Sequence, residues 1–139
     1  MKAALGHFAK RARQAAGVRG EPAVLLTSSA EMRRLNRDFR GKDRPTDVLS
    51  FPADPPLGGD IAISVEIARE NGRRLRHGLL KELEVLVLHG MLHLAGHDHE
   101  RDEGEMAALE ARLKRKLGLA DGLIERAHRP ATARRKKAR

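Results

Sequence analysis

The segment from Leu79 to Ala95 constrains the fold more than any other, because its apolar residues cover nearly every face of a helix. A helix of this kind has to lie at the centre of a protein, with other elements packed around it. His89 and His93 stand four residues apart near its end, so their side chains lie on one face. The sequence therefore predicts a central, buried helix that holds two imidazoles in fixed positions.

The residues after this helix add a third imidazole. Gly96 stands where a helix can end in the left-handed conformation, after which the chain turns back and brings His99 to the other two histidines. Three neutral imidazoles favour a transition metal, zinc first, with one coordination position left open for water. Zinc lowers the pKa of such a water to about 7, so this spacing predicts a metal-dependent hydrolase with one Zn(2+) per chain. His97 is the alternative third ligand, but it follows the turn directly and has little reach, and Asp98 is placed to accept a ring N–H from a ligand.

One position separates this motif from the zinc proteases. Those enzymes carry H-E-x-x-H, in which the glutamate is the general base. The longer form H-E-x-x-H-x-x-G-x-x-H matches the chain at every fixed position except that one, where Gly90 stands. The sequence therefore keeps the metal ligands of a protease but lacks the carboxylate for its usual chemistry.

Composition restricts both the ligands and the partners. The chain of 139 residues has no cysteine, so zinc has to be held by histidine and carboxylate, and this usage suits the cytoplasm. The net charge of +9 indicates a polyanionic partner, with nucleic acid the first expectation. Aromatic residues make up only 2%, so backbone contacts rather than base stacking would carry the binding. No apolar run is long enough for a membrane span, and we expect no membrane partner.

The length fits one domain, which we place at residues 1–128. Residues 129–139 form a basic tail with six cations. Such a tail is either a solubilising, disordered appendage or an arm that follows phosphates.

Helix and strand patterns alternate in the order α-β-α-β-β-α-α-α. This order predicts an α+β fold, a small mixed sheet of three to four strands packed with about five helices, in which the central buried helix carries the metal-binding histidines. The short loop between the second and third strands predicts an antiparallel pair. We expect the first strand to be buried and Phe39 to point inward. The predicted strands are 22–27, 47–52 and 60–64, and the predicted helices are 2–16, 65–74, 79–95, one from a cap at Ser28 to residue 39, and a last one that begins near a capping box of Asp102 and Glu105.

A basic loop, residues 40–46, follows the second predicted helix. It carries Arg40, Lys42 and Arg44, and Arg37 lies on the exposed face of the helix before it. These side chains are good donors to phosphate oxygens, which makes them candidate RNA-binding residues. Composition alone favours an ordinary solvated turn.

Three segments together resemble the YbeY family of bacterial endoribonucleases that mature ribosomal RNA. They are residues 35–51, 59–64 and 89–99, in the family's order. The resemblance implies that His89, His93 and His99 are the metal ligands, and that Arg40 is the functionally required arginine facing the metal. It also implies the family's α+β fold with a four-stranded sheet, although the short N-terminus puts the first of those strands in question.

The implied activity is cleavage of single-stranded RNA in the 3′-end processing of small-subunit rRNA, in ribosome quality control and in ribosome assembly. RNA and the ribosome or a ribosomal protein are the expected partners, and the cytoplasm is the expected location. The alternative is a non-catalytic ribosome-assembly factor whose metal site is structural.

The expected mechanism is metal-assisted phosphodiester hydrolysis, with His89 and Arg40 as the catalytic residues. Arg40 would bind the phosphate and stabilise the charge that develops on it. Attack by water on the metal and attack by the substrate's own 2′-hydroxyl both remain open. The general base also remains open among Asp98, Asp43, Asp47 and metal-bound hydroxide.

Overall fold

The structure is a computed structural model that describes residues 1–98 and 102–119. Its elements follow the predicted order, and where both bounds were predicted they agree to within one residue. None of the helices in the described ranges is long and apolar enough to cross a lipid bilayer. The elements are α1 (Lys2–Ala16), β1 (Ala23–Thr27), α2 (Ser29–Arg40), β2 (Val48–Phe51), β3 (Asp60–Ser64), α3 (Val65–Leu75), α4 (Leu79–Leu94) and α5 (Glu105–Lys116).

The three strands of the described residues form one mixed sheet in the order β1-β3-β2. β1 runs parallel to β3, with Val24 opposite Ile61. β2 runs antiparallel to β3, with Leu49 opposite Ala62, which confirms the predicted pairing of the second and third strands. The α+β class is confirmed, with three strands in the described residues rather than four.

The helix α4 lies at the centre, as its all-round apolar pattern predicted. It packs against α1, α3, α5 and two strands of the sheet. It approaches the sheet closely at Gly90, where an added Cβ would lie 2.8 Å from Cγ2 of Ile61 in β3. Absence of a side chain at this position therefore lets the histidine helix sit directly on the central strand.

Side-chain caps fix where the outer helices begin. Ser28 accepts a hydrogen bond from the backbone N–H of Glu31, and Ser64 accepts one from Ile67, as the sequence predicted. At α5 the carboxylate of Asp102 accepts from the N–H of Met106 at 2.9 Å, while Gly104 occupies the N-cap position. The predicted capping box of Asp102 and Glu105 is therefore wrong: α5 begins at Glu105 after Gly104, although Asp102 still accepts a hydrogen bond from its first turn.

Two predictions about burial are wrong. β1 is an edge strand of the sheet, and Leu25 in its middle is 51% exposed. Phe39 is 67% exposed, because the inner face of α2 runs through positions 32, 36 and 40, each four residues apart. Asn36 is fully buried on that face, and Phe39 lies beside it with its ring 5.3 Å from that of Phe51.

Candidate metal centre and cleft

The two helical histidines converge, as their spacing of four predicted. His89 and His93 lie in the last two turns of α4 and are 1% and 7% exposed. Their Nε2 atoms are 3.1 Å apart, and their ring centroids are 4.7 Å apart. Two of the three predicted ligands therefore lie together in a buried position.

This pair fits a zinc ion. Two nitrogens at the usual Zn–N distance and a tetrahedral angle would be about 3.3 Å apart, close to the separation found. The helix ends at Leu94 and Gly96 takes a φ of 101°, so the chain leaves the helix where the sequence predicted. The predicted third ligand, His99, lies outside the described residues. Within residues 1–98 and 102–119, no third histidine or carboxylate completes a three-ligand group.

A carboxylate on another helix contacts the first histidine. Oε1 and Oε2 of Glu110, in α5, lie 3.2 and 3.3 Å from Nδ1 of His89. Glu110 is only 8% exposed. Sequence reasoning missed this residue, although a glutamate on the apolar face of α5, four residues after Met106, was a signal. Asp98, for which a similar role was predicted, is partly buried in the loop after α4, and its role stays a prediction.

A cleft of about 260 Å³ opens beside His93, and Arg40 lines the same cleft. Arg40 is the last residue of α2, because Gly41 ends the helix with a φ of 71°. The rest of the lining comes from the end of α2 and from β2: Phe39, Leu49, Ser50, Phe51 and Pro52. The structure thus brings the predicted arginine and one predicted ligand to a single opening.

Side-chain hydrogen bonds tie the basic loop, residues 40–46, to α2. The buried Asn36 donates from Nδ2 to the backbone carbonyl of Arg44 at 2.9 Å. Arg33 donates to both carboxylate oxygens of Asp43, at 2.8 and 3.3 Å. These hydrogen bonds from Arg33, helped by its charge, hold the pKa of Asp43 below its usual value.

The remaining predicted phosphate donors lie on the surface around this loop. Lys42 is partly buried, and Arg37 and Arg44 are exposed. Arg37 also donates to the carboxylate of its neighbour Asp38 at 3.2 Å. None of these side chains lines the cleft, so any contact they make with RNA lies outside it.

The fold and the site define a small α+β protein in which a buried helix presents paired imidazoles beside an arginine-lined cleft. The family described as Endoribonuclease YbeY matches residues 1–118. The chain belongs to this family, which confirms the resemblance found in its three segments.

Individual relatives agree with this assignment. A protein named Endoribonuclease YbeY from Koribacter versatilis (strain Ellin345) is 60% identical over 136 residues, which cover 96% of this chain and 90% of the relative. A protein of the same name from Solibacter usitatus (strain Ellin6076) is 52% identical over 123 residues, with 88% and 84% covered. The solution structure of TM1509 from Thermotoga maritima matches with a TM-score of 0.60 at 33% identity, and covers 89% of this chain and 83% of that chain.

Proposed function

We propose that this chain is a metal-dependent endoribonuclease that cuts single-stranded RNA. One observation carries the proposal: His93 and Arg40 line the same cleft, and His89 contacts His93 inside the protein. A metal site and a phosphate-binding arginine at one opening suit phosphodiester hydrolysis. Membership of a family named for endoribonuclease activity supports RNA as the substrate.

Zinc is the metal we propose, held by His89, His93 and His99. The third of these ligands is proposed from its spacing in the sequence alone. The burial of the first two histidines and their 3.1 Å separation support this. When bound, zinc would supply a Lewis acid and an activated water for the hydrolysis. Any fourth ligand from the protein would have to be a carboxylate or another histidine, since the chain has no cysteine.

Arg40 is the proposed phosphate-binding residue. Its planar guanidinium can donate two parallel hydrogen bonds to a phosphate and so hold the scissile group in the cleft. Because its charge is permanent, Arg40 also stabilises the negative charge that increases on the phosphate oxygens during cleavage. Lys42 and Arg44, in the loop after Arg40, and Arg37, one turn before it on α2, would bind the flanking phosphates.

The structure narrows the choice of general base. Asp43 is paired with Arg33 and its pKa is lowered, which makes it a weak proton acceptor at neutral pH. Asp98, Asp47 and metal-bound hydroxide stay open as the base, and neither Asp43 nor Asp47 lines the cleft. Asp47 is 2% exposed in the turn before β2, and Asp98 directly precedes the proposed third ligand in the sequence.

A finer biological role is proposed from the resemblance to this family. We propose that the RNA is ribosomal, that the cut matures the 3′ end of small-subunit rRNA, and that the enzyme also takes part in ribosome quality control. The ribosome or a ribosomal protein would then be its partner, in the cytoplasm. The excess of cations supports a polyanionic substrate of this kind.

Arg40→Ala tests the proposal directly. The variant should keep its helical content and its zinc, measured by circular dichroism and metal analysis, because Arg40 is neither buried in the core nor a ligand. Cleavage of a labelled single-stranded RNA should fall about 100-fold or more, as expected when a group that stabilises transition-state charge is removed.

The matched control is Arg69→Ala, which removes an exposed arginine from α3, away from the cleft. It should cleave RNA as the unchanged chain does. If the Arg40→Ala variant cleaves RNA as fast as the Arg69→Ala variant does, Arg40 has no part in the mechanism. His93→Ala should lose both zinc and cleavage, and full complementation of ribosome assembly by His89→Ala would instead favour the non-catalytic assembly factor.

A further inference from the structure

The contact between Glu110 and His89 determines which ring nitrogen of His89 is left free of a proton. The two carboxylate oxygens of Glu110 lie almost equally far from Nδ1 of His89, at 3.2 and 3.3 Å. An ionised carboxylate can only accept hydrogen bonds, so a proton on Nδ1 satisfies the pair. The other nitrogen, Nε2, then presents its lone pair towards Nε2 of His93.

The packing of α5 holds Glu110 in this position. Met106 and Leu113, on the same side of α5, belong to the main hydrophobic core, and Lys114 one turn after Glu110 is 4% exposed. The carboxylate of Asp102 fixes the start of the helix through the N–H of Met106. Since α5 packs on α4, the core holds the backbone segments that carry Glu110 and His89 against each other.

We infer that Glu110 is a positioning residue, which fixes the Nδ1–H tautomer and the ring orientation of His89 so that Nε2 is ready to bind the metal. The inference rests on the proposed function for the identity of the ligand, but its geometry does not depend on RNA. A carboxylate that orients a metal-binding imidazole is generally worth 10- to 100-fold in metal affinity or activity, about the range expected here. Through Glu110, α5 becomes part of the metal site, although it offers no metal ligand of its own among the described residues.

The test compares Glu110→Ala and Glu110→Gln with the unchanged protein, in two measurements. Nitrogen-15 NMR of the metal-free protein reports the tautomer of His89, and competition with a chromogenic chelator gives the dissociation constant for zinc. We expect the unchanged protein to carry its proton on Nδ1. Glu110→Ala should lose this preference and bind zinc about 100-fold more weakly, and Glu110→Gln, which keeps an acceptor of the same shape, about 10-fold more weakly.

Glu70→Gln is the matched control, since it removes an exposed carboxylate from α3 without touching either histidine. It should leave the tautomer and the zinc affinity unchanged. An unaltered tautomer together with unaltered zinc affinity in the Glu110 variants would overturn the inference, and if the alanine variant fails to fold, the nearly isosteric glutamine variant decides. Should the unchanged protein bind no zinc, the proposed metal would be wrong, while the tautomer measurement would still test the Glu110–His89 contact.

Discussion

Replacing Gly90 by alanine tests how closely the histidine helix lies on the sheet. The added Cβ would stand 2.8 Å from Cγ2 and 3.0 Å from Cδ1 of Ile61. Ile61 is fully buried in the central strand β3, and its Cγ2 is attached directly to Cβ, so it cannot swing away as the end of a long side chain could. Either the helix or the strand has to move.

Two opposing terms set the size of the effect. Extra atoms in a well-packed core cost about 1–3 kcal/mol. Alanine is favoured over glycine inside a helix by roughly 0.5–1 kcal/mol. The packing cost is the larger, so we expect Gly90→Ala to lower the free energy of unfolding by about 1–2 kcal/mol.

Urea unfolding followed by circular dichroism measures this loss. With a slope typical of small proteins, the midpoint should fall by about 0.5–1 M. Gly6→Ala is the matched control, because Gly6 lies in the helix α1 with nothing within 4 Å of the added Cβ. There the helix preference acts alone, and the variant should gain roughly 0.5–1 kcal/mol.

A double substitution identifies the contact that is responsible. If Ile61 causes the loss, Gly90→Ala should cost much less in a chain that already carries Ile61→Ala, because the γ and δ atoms of the isoleucine are gone. If Gly90→Ala is as stable as the unchanged protein, the close approach of α4 to β3 is refuted. The same holds if the stability losses of the two single substitutions simply add in the double variant.

Two further predictions concern buried or partly buried carboxylates of α4. Burial raises the pKa of Glu84 above its usual value, so the folded protein binds this proton more tightly than the unfolded chain does and loses stability as Glu84 ionises with rising pH. Glu84→Gln should therefore raise the urea midpoint at pH 7 and give a smaller gain at pH 4. Glu82 is fully buried, 2.8 Å from Nε2 of His77 and 3.3 Å from Nδ2 of Asn71. Glu82→Ala leaves both partners buried and should lower the free energy of unfolding by about 3 kcal/mol, whereas Glu70→Ala on the surface should change it by less than about 0.5 kcal/mol.

The parts of the fold that the sequence predicted are those that short-range patterns determine. Helix bounds, the caps at Ser28 and Ser64 and the convergence of His89 and His93 depend on residues three or four apart, so the chain itself displays them. The contact of Glu110 with His89 joins residues 21 apart, and only the packing of α5 on α4 creates it. Periodicity indicates that a glutamate faces the core but not what it meets there.

The errors at Phe39 and β1 have the same origin. An apolar residue near the inner face of a helix is buried only if another element covers it, and the small sheet does not cover the last turn of α2 on the side of Phe39. A strand is buried on both faces only if both faces are covered, and in β1 Val24 and Leu26 pack against the main core whereas Leu25, on the opposite face, is 51% exposed. Both errors come from assuming that an apolar side chain is always covered by another element.

The absence of a protease glutamate at position 90 has a structural reason as well as a chemical one. His89 faces Glu110 and His93, whereas position 90 faces Ile61 in the central strand, about 100° further round the helix. A glutamate there would bring its Cβ to 2.8 Å from Cγ2 of Ile61 on the central strand. A glutamate at position 90 would therefore carry at least the packing cost expected for Gly90→Ala, so a protease base could be gained there only at a cost in stability.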